Sequence, residues 1–379
     1  MTVSLWPARR IDDLATVTRG ASPRPIIEWV APSGIPWIKI GDANATDSRF
    51  IDSTREFIKP EGAKHSVVVR RGDFVVSNSA TPGIPRFIDM DQACIHDGWL
   101  LFRSFKDVIP EFLYYRIIQD REALLSQGNG SVFTNLKTDI LKAHEIPLPP
   151  IEEQRGIAAT LGALDDKIES SRRMINLAEE LADQLFRAET GAPAALSDVA
   201  TLTMGSSPPG ETYNHEGEGL PFYQGVRDFG RRYPGHRVWT TGAVRLAQED
   251  DTLVSVRAPV GELNRSRETC CIGRGVASVS CRQPSTLYYA LRASEDTWEP
   301  FQHEGTVFGA INKNDLSKAR LPWPKPESLL DLEGSLSAID RKIKSLSLEI
   351  EKLSGLRDVL MPELLSGRIR VSDARQGVA

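Results

Sequence analysis

Residues 146–191 read IPLPPIEEQRGIAATLGALDDKIESSRRMINLAEELADQLFRAETG, and the spacing within this stretch decides the fold. Pro149 and Pro150 open it, suiting a helix start because the N–H that proline lacks would have no partner there. Glu152 and Glu153 add negative charge to the first turn, where the helix dipole favours it. Apolar or small residues then return in steps of four and three, at Ile157, Leu161, Leu164, Ile168, Ser171, Ile175, Ala178, Ala182 and Leu185. A 3.5-residue period of this kind is the seam of a coiled coil. Gly191 and Pro193 end it, so the spacing predicts a helix over 151–189, roughly 58 Å long at 1.5 Å per residue.

This stretch has a twin. Moving each seam position on by 175 residues lands on Leu332, Leu336, Ile339, Ile343, Leu346, Ile350, Leu353, Arg357 and Leu360, all aliphatic except the arginine. The lead-in IPLP of 146–149 returns as LPWP at 321–324, and Asp165, Lys167 and Ile168 return as Asp340, Lys342 and Ile343. A lone helix of this type would fit a homodimeric coiled coil equally well. Two registered copies in one chain favour pairing with each other. Run antiparallel, Ile157 layers with Leu360, Ser171 with Leu346, Ala178 with Ile339 and Ala182 with Leu336. Small residues then face large ones, as native packing density requires.

With 379 residues, 40% hydrophobic and 26% charged, the chain has the makeup of a globular protein of two or three domains. No apolar run approaches the roughly 20 residues of a membrane span, and the first residues lack the apolar core of a secretion signal. Cys94, Cys270, Cys271 and Cys281 show no metal-binding spacing, which points to a reduced, cytoplasmic setting. Cys94 and Cys271 hold matching places in ACIHDG and CCIGRG, and read as small buried hydrophobes rather than reactive thiols. The net charge of −5 belongs to the helical stretches: residues 146–190 carry 5 basic and 9 acidic side chains, whereas 1–145 carry 18 of each. Neutral globular parts can still bind DNA where their bases cluster on one face.

Outside the helices the chain also repeats. LATVTRGASP (14–23) answers VATLTMGSSP (199–208), and GIPWIK (34–39) answers GLPFYQ (219–224). GDFVVS (72–77) answers DDTLVS (250–255), LYY (113–115) answers LYY (287–289), and GSVF (130–133) answers GTVF (305–308). The resulting organisation is a first globular domain at 1–148, a helix at 149–190, a second globular domain at 191–324, and a second helix with tail at 325–379. Strands are expected at Trp37–Ile40, Phe74–Ser77, Trp99–Arg103, Leu253–Val256 and Gly275–Cys281. Helical patches are expected at Pro110–Leu125 and Pro284–Ser294. The fold class is α+β: two globular domains with curved, mostly antiparallel sheets, separated by two long helices forming an antiparallel coiled coil, the whole an internal pseudo-two-fold repeat. Long polar loops at 20–34, 41–56, 77–92, 126–139, 205–219, 227–237, 257–269 and 302–315 are where recognition would reside.

These motifs together resemble the specificity subunits of type I restriction–modification systems. The carrying residues are IPLPPIEEQRGIA…LDDKI in the first helix and LPWP…IDRKI in the second. GDFVVSNSATPG, ACIHDGW, VSVRAPVGELN and CCIGRGVA support them in the globular parts. The second helix departs from the first by opening KPESLLDLEG. The resemblance implies a non-catalytic subunit in which each globular domain reads half of a bipartite, asymmetric target on double-stranded DNA. The helices would set the spacing and dock DNA methyltransferase subunits, and a motor endonuclease subunit would join for cleavage. S-adenosylmethionine, ATP and magnesium would then belong to those partners, with no cofactor or metal in this chain and no membrane contact. The docking residues it implies are Glu152, Glu153, Gln154, Arg155, Asp165, Lys167, Asp340 and Lys342.

The residues themselves carry no phosphate loop, no dinucleotide fingerprint and no Asp/Asn-Pro-Pro-aromatic run. Asp250 and Asp251 could be drawn as metal ligands but read better as a turn entering a strand. Base edges are read by Arg, Asn, Gln and Lys, and phosphates take Arg, Lys, Ser, Thr and backbone N–H. On that chemistry the DNA candidates in the first domain are Lys39, Asn44, Asn78, Ser79, Arg86, Asn129, Ser131, Asn135 and Lys137. Those in the second are Tyr213, Gln224, Arg227, Arg257, Asn264, Arg265, Arg267, Arg274, Thr306, Asn312 and Lys313. Two other readings stay open: a specificity subunit whose methylase and nuclease share one polypeptide, and a scaffold whose helices and domains bind only protein.

Overall fold

The structure is a computed structural model and describes residues 6–126, 135–301 and 309–371. Contacts divide the chain into two units, Met1–Ser171 with Glu349–Ala379, and Arg172–Leu348. Four helices frame them: α1 (Pro110–Ser126), α2 (Ile151–Ala188), α3 (Pro284–Arg292) and α4 (Leu329–Ser366). Each of the two long helices, α2 and α4, contributes residues to both units.

In the first unit one sheet runs in the order Thr16–Arg19, Trp99–Arg103, Phe74–Ser77, Pro85–Ile88, Phe50–Ile51. A second runs Val30–Ala31, Phe57–Ile58, Ile35–Ile38, Ala93–Ile95, Val67–Val69. The second unit repeats the second order in full and the first without a counterpart of the edge strand Phe50–Ile51 among the described residues. Its sheets are Thr201–Met204, Val276–Ser280, Thr252–Ser255, Leu263–Arg265, and Tyr213–Asn214, Trp239–Thr240, Leu220–Tyr223, Cys270–Ile272, Leu246–Ala247. Pairing is mostly antiparallel, and one parallel exception is duplicated: Cys94 lies parallel beside Trp37, as Cys271 does beside Phe222, whereas the parallel pair of Phe50–Ile51 with Pro85–Ile88 belongs to the first unit. Both thiols are fully buried, as their matching sequence positions imply. Burial also pushes the thiols of Cys94 and Cys270 up, the latter to about 12, out of the reactive range.

Phe74–Ser77 and Thr252–Ser255 are buried along their whole length, which explains why both read as unbroken apolar runs rather than alternating ones. The strand expected at Trp37–Ile40 stops at Ile38, because the Asp42 carboxylate accepts the Lys39 backbone N–H at 2.8 Å and starts a short helix, Ile40–Asn44. Helix α2 begins at Ile151 as the Pro-Pro-Ile-Glu-Glu start predicts.

Within the first unit α2 and α4 run in opposite senses. Ser171 Oγ donates to Glu349 at 3.0 Å, Arg357 reaches Asp165 at 2.8 Å, and Ile157 shares a core with Leu360, Leu364 and Leu365. The second unit shows the same sense: Ala182, Leu185 and Phe186 share a core with Leu332, Leu336 and Ile339. The apolar seam is therefore the surface on which each unit is built. Onto it α1 packs Phe112 and Tyr115, and α3 packs Leu287 and Tyr289.

Candidate nucleic-acid interface

In both units a set of chain reversals meets at one edge, held by equivalent backbone hydrogen bonds. In the first, Asn78 N–H donates to Gly98 O at 2.8 Å, and Leu136 N–H donates to Asn78 O at 2.6 Å. In the second, Val256 N–H donates to Gly275 O at 3.0 Å, and Ile311 N–H donates to Val256 O at 3.0 Å. Single β-bridges complete the match, Ser79 with Asn135 and Arg257 with Ala310. Glycines make these approaches possible. A Cβ on Gly275 would lie 2.3 Å from Gln224 O, and one on Gly98 would lie 2.6 Å from Ser79 Oγ.

The first edge gathers Asn44, Ser79, Asn135 and Lys137, of which Asn44, Asn135 and Lys137 are exposed. Asn44 Nδ2–H donates to Thr81 Oγ1 at 2.7 Å, tying Ile40–Asn44 to the 77–84 turn. Lys39 sits over the Trp37 ring and pairs with Glu56 at 2.5 Å, so its charge is already neutralised. Beside this edge His96 is held below its usual pKa range by burial, despite the neighbouring Asp97. The second edge gathers Gln224, Arg227, Arg257, Arg274, Asn312 and Lys313, all exposed. Gly275 N–H donates to Gln224 O at 3.1 Å, which places Arg274 beside Gln224. Asn312 caps the short helix Lys313–Lys318 by accepting the Asp315 N–H at 3.0 Å. Tyr213 lies further off, its hydroxyl donating to Pro208 O at 3.0 Å.

Several other candidates are engaged inside the fold. Arg265 is 2% exposed and pairs with Asp340, so it belongs to the core and not to an outer surface. Asn264 bridges both backbone groups of Gly230, at 3.0 and 2.9 Å. Arg86 is half-buried and donates to the carbonyls of Ala43, Thr46 and Pro85; burial lowers its pKa. The Asn78 side chain is buried against Asp97 O, and Arg267 stacks over Tyr233 at 4.4 Å. Asn129, Ser131 and Thr306 lie outside the described residues.

The docking candidates divide in the same way. Glu152 and Arg155 are exposed and pair with each other at 2.6 Å, and exposed Lys167 pairs with Glu349 at 3.2 Å. Lys342 is exposed, and Glu153 accepts the Val371 N–H at 3.4 Å. Gln154, Asp165 and Asp340 are buried, which removes them from any outer docking face. Gln154 donates to Asp107 O and Pro149 O, both at 2.9 Å, and accepts Ile109 N–H at 3.0 Å. A groove of about 460 Å³ runs along the first turns of α2, lined by Arg49, Glu111, Arg155, Ala159, Gly162 and Asp166.

Asp165 and Asp340 anchor the globular parts to the helices. Tyr115 Oη donates to Asp165 at 2.7 Å, and Tyr289 Oη donates to Asp340 at 2.9 Å. Around Asp340 the cations are Arg232 and Arg265 from the globular part of the unit, while Asp165 takes Arg357 from α4. Arg232, with 3% of its side chain exposed, escapes sequence reading because nothing in its one-letter context marks it as buried. The LYY repeat and the paired Asp-x-Lys-Ile were the available signals for the anchor.

Asp250 and Asp251 form a turn: Asp251 accepts Gln248 N–H at 2.9 Å and Ser278 Oγ–H at 2.6 Å. Among the described residues no cluster of His, Cys, Asp or Glu is placed to hold a metal ion, and no helix is long and apolar enough to cross a membrane.

Comparison with known proteins agrees with this architecture. Residues 4–180 match the type I restriction modification DNA specificity domain. The MjaX type I restriction enzyme specificity subunit of Methanocaldococcus jannaschii is 33% identical, over 97% of this chain and 94% of its own. The MjaIX specificity subunit of the same organism is 28% identical over 48% of this chain and 43% of its own. The crystal structure of the S subunit from M. genitalium shares the fold, with a TM-score of 0.65 at 18% identity, covering 95% of this chain and 96% of that one. The duplicated sheets, the paired long helices and this near full-length similarity establish that the chain belongs to the family of type I restriction–modification specificity subunits.

Proposed function

We propose that this chain selects the DNA target of a type I restriction–modification complex, each unit reading one half of a bipartite, asymmetric site on duplex DNA through its reversal edge. The observation that carries this reading is the duplication of the edge itself. The same backbone bonds recur in both units, yet the exposed side chains they present differ. One chain thus holds two related readers with different chemistry, which suits two half-sites of different sequence. Loops on a rigid sheet are suited to this task, and their Arg, Asn, Gln and Lys side chains are those that read base edges.

Helices α2 and α4 are 38 residues each, about 57 Å at 1.5 Å per residue. That exceeds one DNA turn of about 34 Å, so the helices can act as the ruler for an unread spacer. The groove on α2 between Glu111, Arg155 and Asp166, with small residues at its floor, suits docking of a methyltransferase subunit. Methyl transfer and cleavage would then be carried by partner subunits, with S-adenosylmethionine, ATP and magnesium bound there and the chain itself serving recognition in the cytoplasm.

The test is to express the chain with the methyltransferase encoded beside it and map the methylated adenines. A split recognition sequence with a fixed gap is expected. Removing one heptad from both helices should change the tolerated gap, and an unchanged gap would refute the ruler. Binding to duplex DNA should weaken steeply with salt, as counterion release requires; salt-insensitive association would favour a protein scaffold.

A further inference from the structure

The two edges differ in the kind of base they are equipped to read. In the second unit, Arg227, Arg257 and Arg274 are all exposed. Among the described residues none of their guanidinium groups has a hydrogen-bond or ion-pair partner. Their placement is fixed through the backbone. Gln224 O accepts Gly275 N–H at 3.1 Å, Gly275 O accepts Val256 N–H at 3.0 Å, and Arg257 bridges to Ala310. Arg227 follows on the short turn Val226–Asp228. The nearby carboxylate, Asp228, is buried and already committed to Arg237 at 2.6 Å and to the Gln224 N–H at 2.6 Å. The edge therefore offers three uncommitted guanidinium forks and an exposed glutamine.

The first edge is built on the same backbone with other chemistry. Where Arg257 stands in the second unit, Ser79 stands in the first, bridged to Asn135. The place of Gln224 is taken by Lys39, which is paired with Glu56. In place of Gly273 and Arg274 stand His96 and Asp97, and Asp97 accepts the Ser22 Oγ–H at 2.6 Å. Amides and hydroxyls dominate; Lys137 is exposed, and the guanidinium groups of exposed Arg19 and Arg24 are turned to Asp97, at 2.8 Å to its carbonyl oxygen and 3.8 Å to its carboxylate.

We infer that the half-site read by the second unit is specified through guanines, and that the half-site read by the first unit is specified through adenine–thymine pairs. An arginine fork fits guanine O6 and N7 in the major groove, whereas an asparagine amide fits adenine N6 and N7. The inference rests on the reading that each unit recognises one half of a split DNA target.

The experiment maps methylated sites for the full chain with its methyltransferase, and compares Arg257→Ala, Arg274→Ala and Arg257→Lys. Lysine retains the positive charge but not the planar fork, so it keeps a phosphate contact and loses a guanine contact. The expected result is that each alanine variant relaxes selection at a guanine in one half-site only, with binding to the cognate site weakened about 10- to 100-fold. Arg257→Lys should relax the same position while binding to unrelated DNA is kept, which also shows that the fold is intact. Relaxation at an adenine–thymine pair would overturn the inference. So would equal weakening on all sequences, with a shallower salt dependence, because that is the signature of a phosphate clamp. Methylation without any split target would overturn the reading beneath it, and the inference with it.

Discussion

The hydroxyl of Tyr289 donates to the carboxylate of Asp340 at 2.9 Å, and this bond joins the globular part of the second unit to helix α4. Arg232 and Arg265, each with 3% of its side chain exposed, close on the same carboxylate. Removing one partner of a buried ionic group leaves the others charged without compensation, at about 3–5 kcal/mol. Asp340→Asn should therefore lower the unfolding free energy of the second unit by about that much, read as a fall in its urea midpoint. The equivalent Asp165→Asn should cost less, because Arg357 keeps 30% of its side chain exposed and also holds Asp358 at 2.7 Å. Tryptophan fluorescence followed through denaturation would show the difference, and equal losses would contradict this account of the anchor.

Gln154 invites a second test. Its amide answers two carbonyls and one N–H at the junction where the first globular part meets α2. An unpaired buried polar group costs about 1–3 kcal/mol. Gln154→Ala should destabilise the first unit by at least that amount. Gln154→Glu should be no better, since a carboxylate cannot donate to Asp107 O or Pro149 O. A neutral Gln154→Glu variant in a thermal-unfolding series would show that the amide is dispensable there.

Much of the architecture was legible in sequence because it rests on period and repetition. The 3.5-residue seam named the face of α2 that is buried, and Ile157, Leu161, Ile168, Ser171, Ile175 and Ala182 all lie there. The single exception in the second copy, Arg357, is explained by its ion pair with Asp165. What the sequence concealed was burial of charge. Arg265 and Asn264 look like loop residues ready for DNA, but Arg265 closes on a carboxylate contributed by α4, 75 residues away. Partners brought together by tertiary contact leave no local pattern. The same reason hid the role of Gln154 and Asp165, whose helical spacing fits an outer face as well as an inner one. Arg227, Arg257, Asn312 and Lys313 could be chosen because glycine, proline and cap signals marked the turns that carry them.

Gly275 tests whether the second edge is a built surface. A Cβ there would meet the Gln224 carbonyl oxygen at 2.3 Å, a backbone atom that cannot simply swing aside. Gly275→Ala should push the 224–225 segment away from Arg274 and abolish selection in one half-site while leaving the other intact. Gly235→Ala is the control, because a Cβ at Gly235 meets no atom within 4 Å. Footprinting both variants on the methylated target would decide the matter. Unchanged selection by Gly275→Ala would mean that this edge does not touch DNA.

Asp120 should give the first unit an acid-sensitive component. Burial alone would raise its carboxyl pKa, but the hydrogen bonds from His144, at 3.0 Å, and from Arg116 outweigh that and hold it below the usual value. An unfolded aspartate titrates near pH 3.9. The folded pKa is the lower one, so the stabilisation is fully present above about pH 4 and is lost as pH falls through the folded value. Asp120→Asn removes the ionisable group, so the gap in unfolding midpoint between wild type and variant should be widest near neutrality and shrink below about pH 4. A urea titration repeated across that range measures the gap directly. A difference that stays constant with pH would mean that the asparagine loses packing or hydrogen-bond geometry, and that the charge on Asp120 contributes nothing to the hold of α1 on the strand-side residue His144.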